Sequence, residues 1–129
     1  MSAGETLKAL YASLGAGDMP AAMALMDENV EWVESAGFLY AGTYRGPQSV
    51  VGEVFARLGG EWDGFRADPD YLVADGDRAI AVGTYSGTYR ATGRSFTARF
   101  AHSVLVRDGR IVHFEQVVDS AQVNLALAA

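Results

Sequence analysis

The sequence predicts an α+β domain, with helices in its first half and a sheet in its second. Three observations carry this. Apolar residues recur at helical spacing before Gly60, alternate with a period of two from Phe65 onward, and the second half is punctuated by Asp75-Gly76, Thr92-Gly93 and Asp108-Gly109. The chain of 129 residues is long enough for one core, so residues 1–129 are expected to form a single domain.

The elements follow in order. Leu7, Leu10, Tyr11 and Leu14 lie on one face of a first helix that ends at Gly15-Ala16-Gly17. Asp18 suits the cap of a second helix, with Pro20 in its first turn and Met19, Ala22, Met23 and Met26 as its stripe. Asn29 to Glu34 alternates as a strand, with Val30, Trp32 and Glu34 on one side. SAGFLYAGTY then reads as a loop, either a lid or a contact with a neighbouring subunit. Gly46-Pro47 opens a third helix carrying Val51, Val54, Phe55 and Leu58, with Gly59-Gly60 as its stop. Four strands in a meander are expected at Phe65–Val73, bent near Pro69, then Ala79–Tyr89, Ser95–Val106 and Ile111–Val118. Gly83 and Gly87 inside the second of these mark bulges or bends. Asp119 or Ser120 suits the cap of a short last helix over Ala121–Leu127.

Composition excludes several functions. Half of the residues are hydrophobic and a fifth are charged, as in ordinary globular chains. No cysteine is present, so disulfides and thiolate chemistry are out. The formal net charge is −6, and Arg90, Arg94, Arg99, Arg107 and Arg110 are dispersed rather than clustered, against nucleic-acid binding. MSAGETLKAL reads as neither a signal peptide nor a membrane span, so a cytoplasmic protein is expected. No phosphate loop, nucleophile elbow or dinucleotide fingerprint occurs, and His102 and His113 are the only histidines, so neither cofactor nor metal is expected.

The most informative stretch is FAHSVLVRDGRIVHFEQVVD. A two-residue turn at Asp108-Gly109 would set Arg107 against Arg110 and mix polar with apolar on both faces. A three-residue loop sorts them better and is expected, with Val106 opposite Arg110, Val104 opposite Val112 and His102 opposite Phe114. One face then carries Phe96, Ala98, Phe100, His102, Val104, Val112, Phe114, Gln116 and Val118. The other carries Arg99, Ala101, Ser103, Leu105, Ile111, His113, Glu115 and Val117. An imidazole and an amide thus sit diagonally on a greasy surface, where each needs a partner. They close on each other, or they face a ligand.

The whole chain resembles the SnoaL-like branch of the NTF2-like superfamily, which includes ketosteroid isomerases, polyketide cyclases and limonene epoxide hydrolases. The stretches that carry the likeness are GAGDMPAAMALMDENVEWVE, AGTYRGPQSVVGEVF, VADGDRAIAVGTYSGTYRATGR and FAHSVLVRDGRIVHFEQVVD, in that order. The resemblance implies a cone, in which a curved, mixed or antiparallel sheet wraps around three N-terminal helices and encloses a pocket. It also implies a homodimer through the outer sheet face, here the side of Ala101, Leu105, Ile111 and Val117.

Ketosteroid isomerases use a carboxylate base at the end of the first strand, an acidic donor on the strand entering the last hairpin, and a tyrosine on the first helix. The base position falls on Glu34 and the donor position on His102. The tyrosine position falls on Leu10, and its neighbour Tyr11 is expected to point elsewhere on the helix. Polyketide cyclases and limonene epoxide hydrolases place an acidic residue where this chain has Gln116, and the hydrolases need an Asp and an Arg where it has Tyr85 and Gly83. Neither mechanism carries over intact.

Three functions stay open from the residues. An enzyme would move a proton on a small, apolar carbonyl compound, with Glu34 as base and His102 as donor or acid. Trp32, Tyr85, Phe100, Phe114, Gln116 and Val118 would then bind and orient the substrate. A non-catalytic binder would hold an apolar metabolite on the same walls. A dimeric scaffold would have the cavity filled and His102 tied up internally.

Overall fold

A computed structural model of the chain describes residues 1–128. Helix α1 (Ala3–Gly15) begins at a capping box, in which the Ser2 hydroxyl accepts from the Glu5 amide and the Glu5 carboxylate accepts from the Ser2 amide. Helix α2 (Met19–Ala24) is capped by Asp18. Strand β1 (Met26–Glu34) follows at once, so Met26 opens a strand instead of closing the helical stripe. It does so because Met26 pairs with Ile111. A short edge strand, β2 (Gly42–Arg45), lies in what reads as loop. It pairs antiparallel with β1, and its residues show no alternation that would mark it beforehand.

The third helical run is made of α3 (Pro47–Val50), a wide π turn (Val51–Phe55) and α4 (Ala56–Glu61). It passes through Gly59-Gly60 without stopping there. Trp62 instead starts strand β3 (Trp62–Asp75), held by contacts of its buried ring with Phe65, Tyr89 and Phe96. Strands β4 (Arg78–Tyr89), β5 (Arg94–Arg107) and β6 (Arg110–Val118) complete the meander. Helix α5 (Ser120–Leu127) closes the described chain, capped by the Asp119 side chain.

The sheet has six strands in the order β2-β1-β6-β5-β4-β3, with β1 parallel to β6 and every other pair antiparallel. It is an α+β fold in which a curved, open sheet packs on helices, as the sequence predicts. Bulges in β3 at Asp63/Arg66 and Pro69/Tyr71 supply curvature. Gly83 sits against the second of them, where a Cβ would lie 2.2 Å from the Asp68 carbonyl oxygen. Only glycine lets β4 come this close. Among the described residues no helix is long and apolar enough to cross a membrane.

The last hairpin corrects one expectation. Asp108 and Gly109 have φ of 53° and 73°, the two-residue turn whose twist matches the strands, and Arg107 does face Arg110. Both guanidinium groups reach into solvent, where their repulsion is screened. Val112 is then an extra residue: Val106 pairs with Ile111, but Leu105 pairs with His113. That bulge turns Ile111 into the core and leaves Val112 half-buried, the reverse of what an unbroken ladder predicts. Beyond it Val104 faces Phe114 and His102 faces Gln116. The register differs by two residues from the expected one, so each of these side chains keeps its expected face.

Candidate active site

Glu34, His102, Trp32, Tyr85, Phe114 and Gln116 line one cavity of about 760 Å³ between the helices and the sheet. Phe100 and Val118 lie off its wall. Phe100 stacks behind His102 and Tyr85, with ring centroids 4.3 and 4.4 Å away. Val118 is its partner in the ladder. Residues that the sequence does not place in the site also reach the cavity, notably Tyr11, Phe38, Phe55, Trp62 and Phe65. Its outer part is lined by the exposed Arg66, Asp68 and Arg90, two of them joined as the Arg66–Asp68 ion pair at 3.0 Å.

Glu34 ends β1 on the same side as Val30 and Trp32, because every second residue of a strand shares a face. Trp32 stacks on Phe114 at 3.7 Å and meets Phe55 edge-on. Its indole Nε1 donates to Glu34 Oε1 at 3.2 Å. Glu34 Oε2 is buried and has no partner among the described residues. Burial pushes the Glu34 carboxyl up to about 8, and the single tryptophan bond only partly offsets this.

His102 is buried on β5, and both of its ring nitrogens are engaged. Tyr11 Oη lies 2.8 Å from Nδ1 and Tyr85 Oη 2.5 Å from Nε2. Burial pushes the imidazole down to about 3, so it is neutral at ordinary pH. Gln116 Nε2 donates to Tyr85 Oη at 3.0 Å, and Gln116 Oε1 accepts from the Ser35 amide at 3.2 Å. The imidazole and the amide are therefore linked through a tyrosine rather than to each other.

Tyr11 corrects a second expectation. It points into the site alongside Leu10, which packs in the core, because α1 contacts β3, β4 and β5 and so meets the sheet with more than one stripe. Its place in the apolar stripe of α1 was the one signal available in the sequence.

The segment between β1 and β2 packs onto the molecule, and its Phe38 joins the cavity lining. Phe38 and Tyr40 are buried, the Tyr40 hydroxyl donates to Glu61 at 2.6 Å, and the Trp62 indole donates to that hydroxyl at 3.1 Å. The Tyr44 hydroxyl donates to the Tyr40 carbonyl at 2.7 Å, and the Arg57 guanidinium lies 4.3 Å over the Tyr40 ring. Among the described residues no group of three or more His, Asp or Glu side chains could hold a metal ion.

The SnoaL-like domain family matches residues 7–114. The chain belongs to the SnoaL-like family. An NTF2-like protein of Burkholderia thailandensis E264 superposes over 100% of this chain and 99% of its own, with a TM-score of 0.96 and 45% identity. TerC, co-crystallised with polyporic acid, is 27% identical with a TM-score of 0.86, covering 97% of each chain. Patulin synthesis protein F of Aspergillus clavatus is 32% identical over 84 residues, which are 63% of this chain and 42% of that protein. The match thus spans less than half the length of that curated relative. Within this SnoaL-like protein the cone and its pocket are those the family likeness implies.

Proposed function

We propose that this SnoaL-like protein binds a small, largely apolar carbonyl compound and moves a proton beside the carbonyl. Ionised Glu34 takes the proton as the C–H bond breaks, and the electron pair passes into an enolate. Tyr11 donates a hydrogen bond to the enolate oxygen, with His102 behind it as its support. Return of the proton to another carbon completes an isomerisation; in a cyclisation the enolate carbon instead bonds to a second carbonyl carbon, whose oxygen takes the electron pair and then the proton. One observation carries this: a buried carboxyl with an unpartnered oxygen, on a residue that lines a largely apolar cavity together with Tyr11. The co-crystallisation of the related TerC with polyporic acid supports a small-molecule task.

A simple cyclic ketone tests the chemistry without knowledge of the natural substrate. The protein is expected to speed exchange of the α-hydrogens of β-tetralone for deuterium in heavy water, followed by proton NMR. The base must be ionised, so the rate should rise with pH and level off above about 8. No acceleration over buffer at any pH would leave the cavity as a binding site only. That second role is favoured by one fact, that a carboxyl pushed up to about 8 is mostly protonated at neutral pH and serves there as a donor.

We also propose a homodimer through the outer sheet face. Tyr71, Val82, Ala101 and Val117 form a continuous row across β3, β4, β5 and β6, with Val73 opposite Ile80 beside it. Tyr71, Val73, Ile80 and Val117 are large apolar side chains left exposed. Light scattering should give a dimer mass for the protein and a monomer mass for the Ile80→Lys, Val117→Lys double variant. A monomeric parent would refute the pairing.

A further inference from the structure

We infer that the hydrogen bonds behind the cavity run in one direction, set by Gln116, and that they turn the Tyr11 hydroxyl proton toward the cavity. The Ser35 backbone N–H can only donate, so the Gln116 atom 3.2 Å from it is the carbonyl oxygen. The Gln116 amide nitrogen then faces Tyr85 Oη and donates to it at 3.0 Å. Tyr85 is buried, and its own proton needs an acceptor. His102 Nε2 is the acceptor within reach.

A neutral imidazole that accepts at Nε2 carries its proton at Nδ1. Nδ1–H therefore donates to Tyr11 Oη at 2.8 Å. Tyr11 Oη accepts that bond and has no other protein partner among the described residues; because Tyr11 lines the cavity, its proton is left for a ligand. The opposite direction would aim two donors, from Gln116 and His102, at Tyr85 Oη. It would leave the Tyr85 proton with no protein acceptor, in a side chain only 5% exposed, whereas the chosen direction gives every buried donor a partner. Flipping the Gln116 amide instead would set its NH₂ against the Ser35 N–H.

Gln116 is thus a positioning residue. Gln116 itself lines the cavity, but through this chain of bonds it also decides whether Tyr11 offers a proton or a lone pair. The cavity favours a neutral ligand with an oxygen acceptor, such as a ketone or quinone, over one whose polar group is a donor. That the ligand offers an acceptor rests on the carbonyl chemistry proposed above; the tautomer of His102 does not.

The test is heteronuclear NMR of the histidine ring nitrogens in isotope-labelled protein, with a His113→Gln variant to assign the two signals. His102 is expected as the Nδ1–H tautomer. In Gln116→Glu, measured above about pH 9 so that the buried carboxyl is ionised, the carboxylate accepts from both Ser35 and Tyr85, so His102 should switch to Nε2–H and turn the Tyr11 proton back onto Nδ1. Acetonaphthone, a pure acceptor probe, should then bind about tenfold more weakly, the loss of one hydrogen bond. An Nε2–H or doubly protonated ring in the parent protein overturns the direction. An unchanged tautomer in Gln116→Glu removes Gln116 as the residue that sets it. A tautomer that switches while acetonaphthone binding holds would keep the direction and overturn Tyr11 as the ligand's donor.

Discussion

Replacing Glu34 by glutamine is expected to cut proton exchange by orders of magnitude and, in alkaline solution, to make the folded protein more stable. Glutamine keeps the shape and can still accept from the Trp32 indole, but it cannot take a proton. The rate should fall about 100- to 10,000-fold, the usual contribution of a positioned base. The stability effect has a definite sign. Burial raises the Glu34 carboxyl from 4.5 to about 8, so between these values the folded state holds a proton that the unfolded chain has released. Stability therefore falls as pH rises through that window, by on the order of a few kcal/mol once the carboxyl is ionised in both states. The variant lacks this loss. Thermal melts of the two proteins should nearly coincide near about pH 5 and separate near about pH 9, with the variant higher. His102 contributes oppositely, since a ring pushed down to about 3 costs stability as pH falls below the ordinary histidine range, but both proteins share that term. Equal melts near about pH 9 would mean that Glu34 is not desolvated, and full exchange activity in the variant would remove it as the base.

Replacing Tyr11 by phenylalanine is expected to lower the saturated exchange rate about 100- to 1,000-fold, the scale of one lost oxyanion donor. The effect should fall on kcat far more than on KM, because the donor's bond strengthens as the oxygen gains charge. The ring stays, so its packing beside His102 is kept, but the His102 Nδ1–H loses its acceptor and the fold should weaken by about 1–3 kcal/mol. Kinetics with β-tetralone and a thermal melt separate the two consequences. An unchanged kcat alongside a lowered melting temperature would make Tyr11 a structural partner of His102 and leave the enolate oxygen to another group.

Much of this protein is legible in its sequence. The apolar stripe of α1, the alternation that puts Glu34 beside Val30 and Trp32, the inward His102 and Gln116, and the Asp119 cap all follow from local geometry. A strand's faces repeat every two residues and a helix's every three to four, whatever lies opposite. Residue type within that frame marks the polar groups that need partners.

The partners themselves were decided by tertiary structure. Tyr11 and His102 are 91 residues apart, and they meet because a curved sheet reaches a second stripe of the helix it faces. Tyr85 stands between His102 and Gln116 because its strand neighbours β5, with Tyr85 opposite Ala98. The bulge at Val112 sends Ile111 inward while leaving His102 and Gln116 on the expected face. Strand β2 and the early start of β3 at Trp62 depend on pairings and packing across the sheet rather than on their own residues. Local backbone geometry dictates which way a side chain points, and curvature and register, which are properties of the assembled sheet, dictate what it meets there.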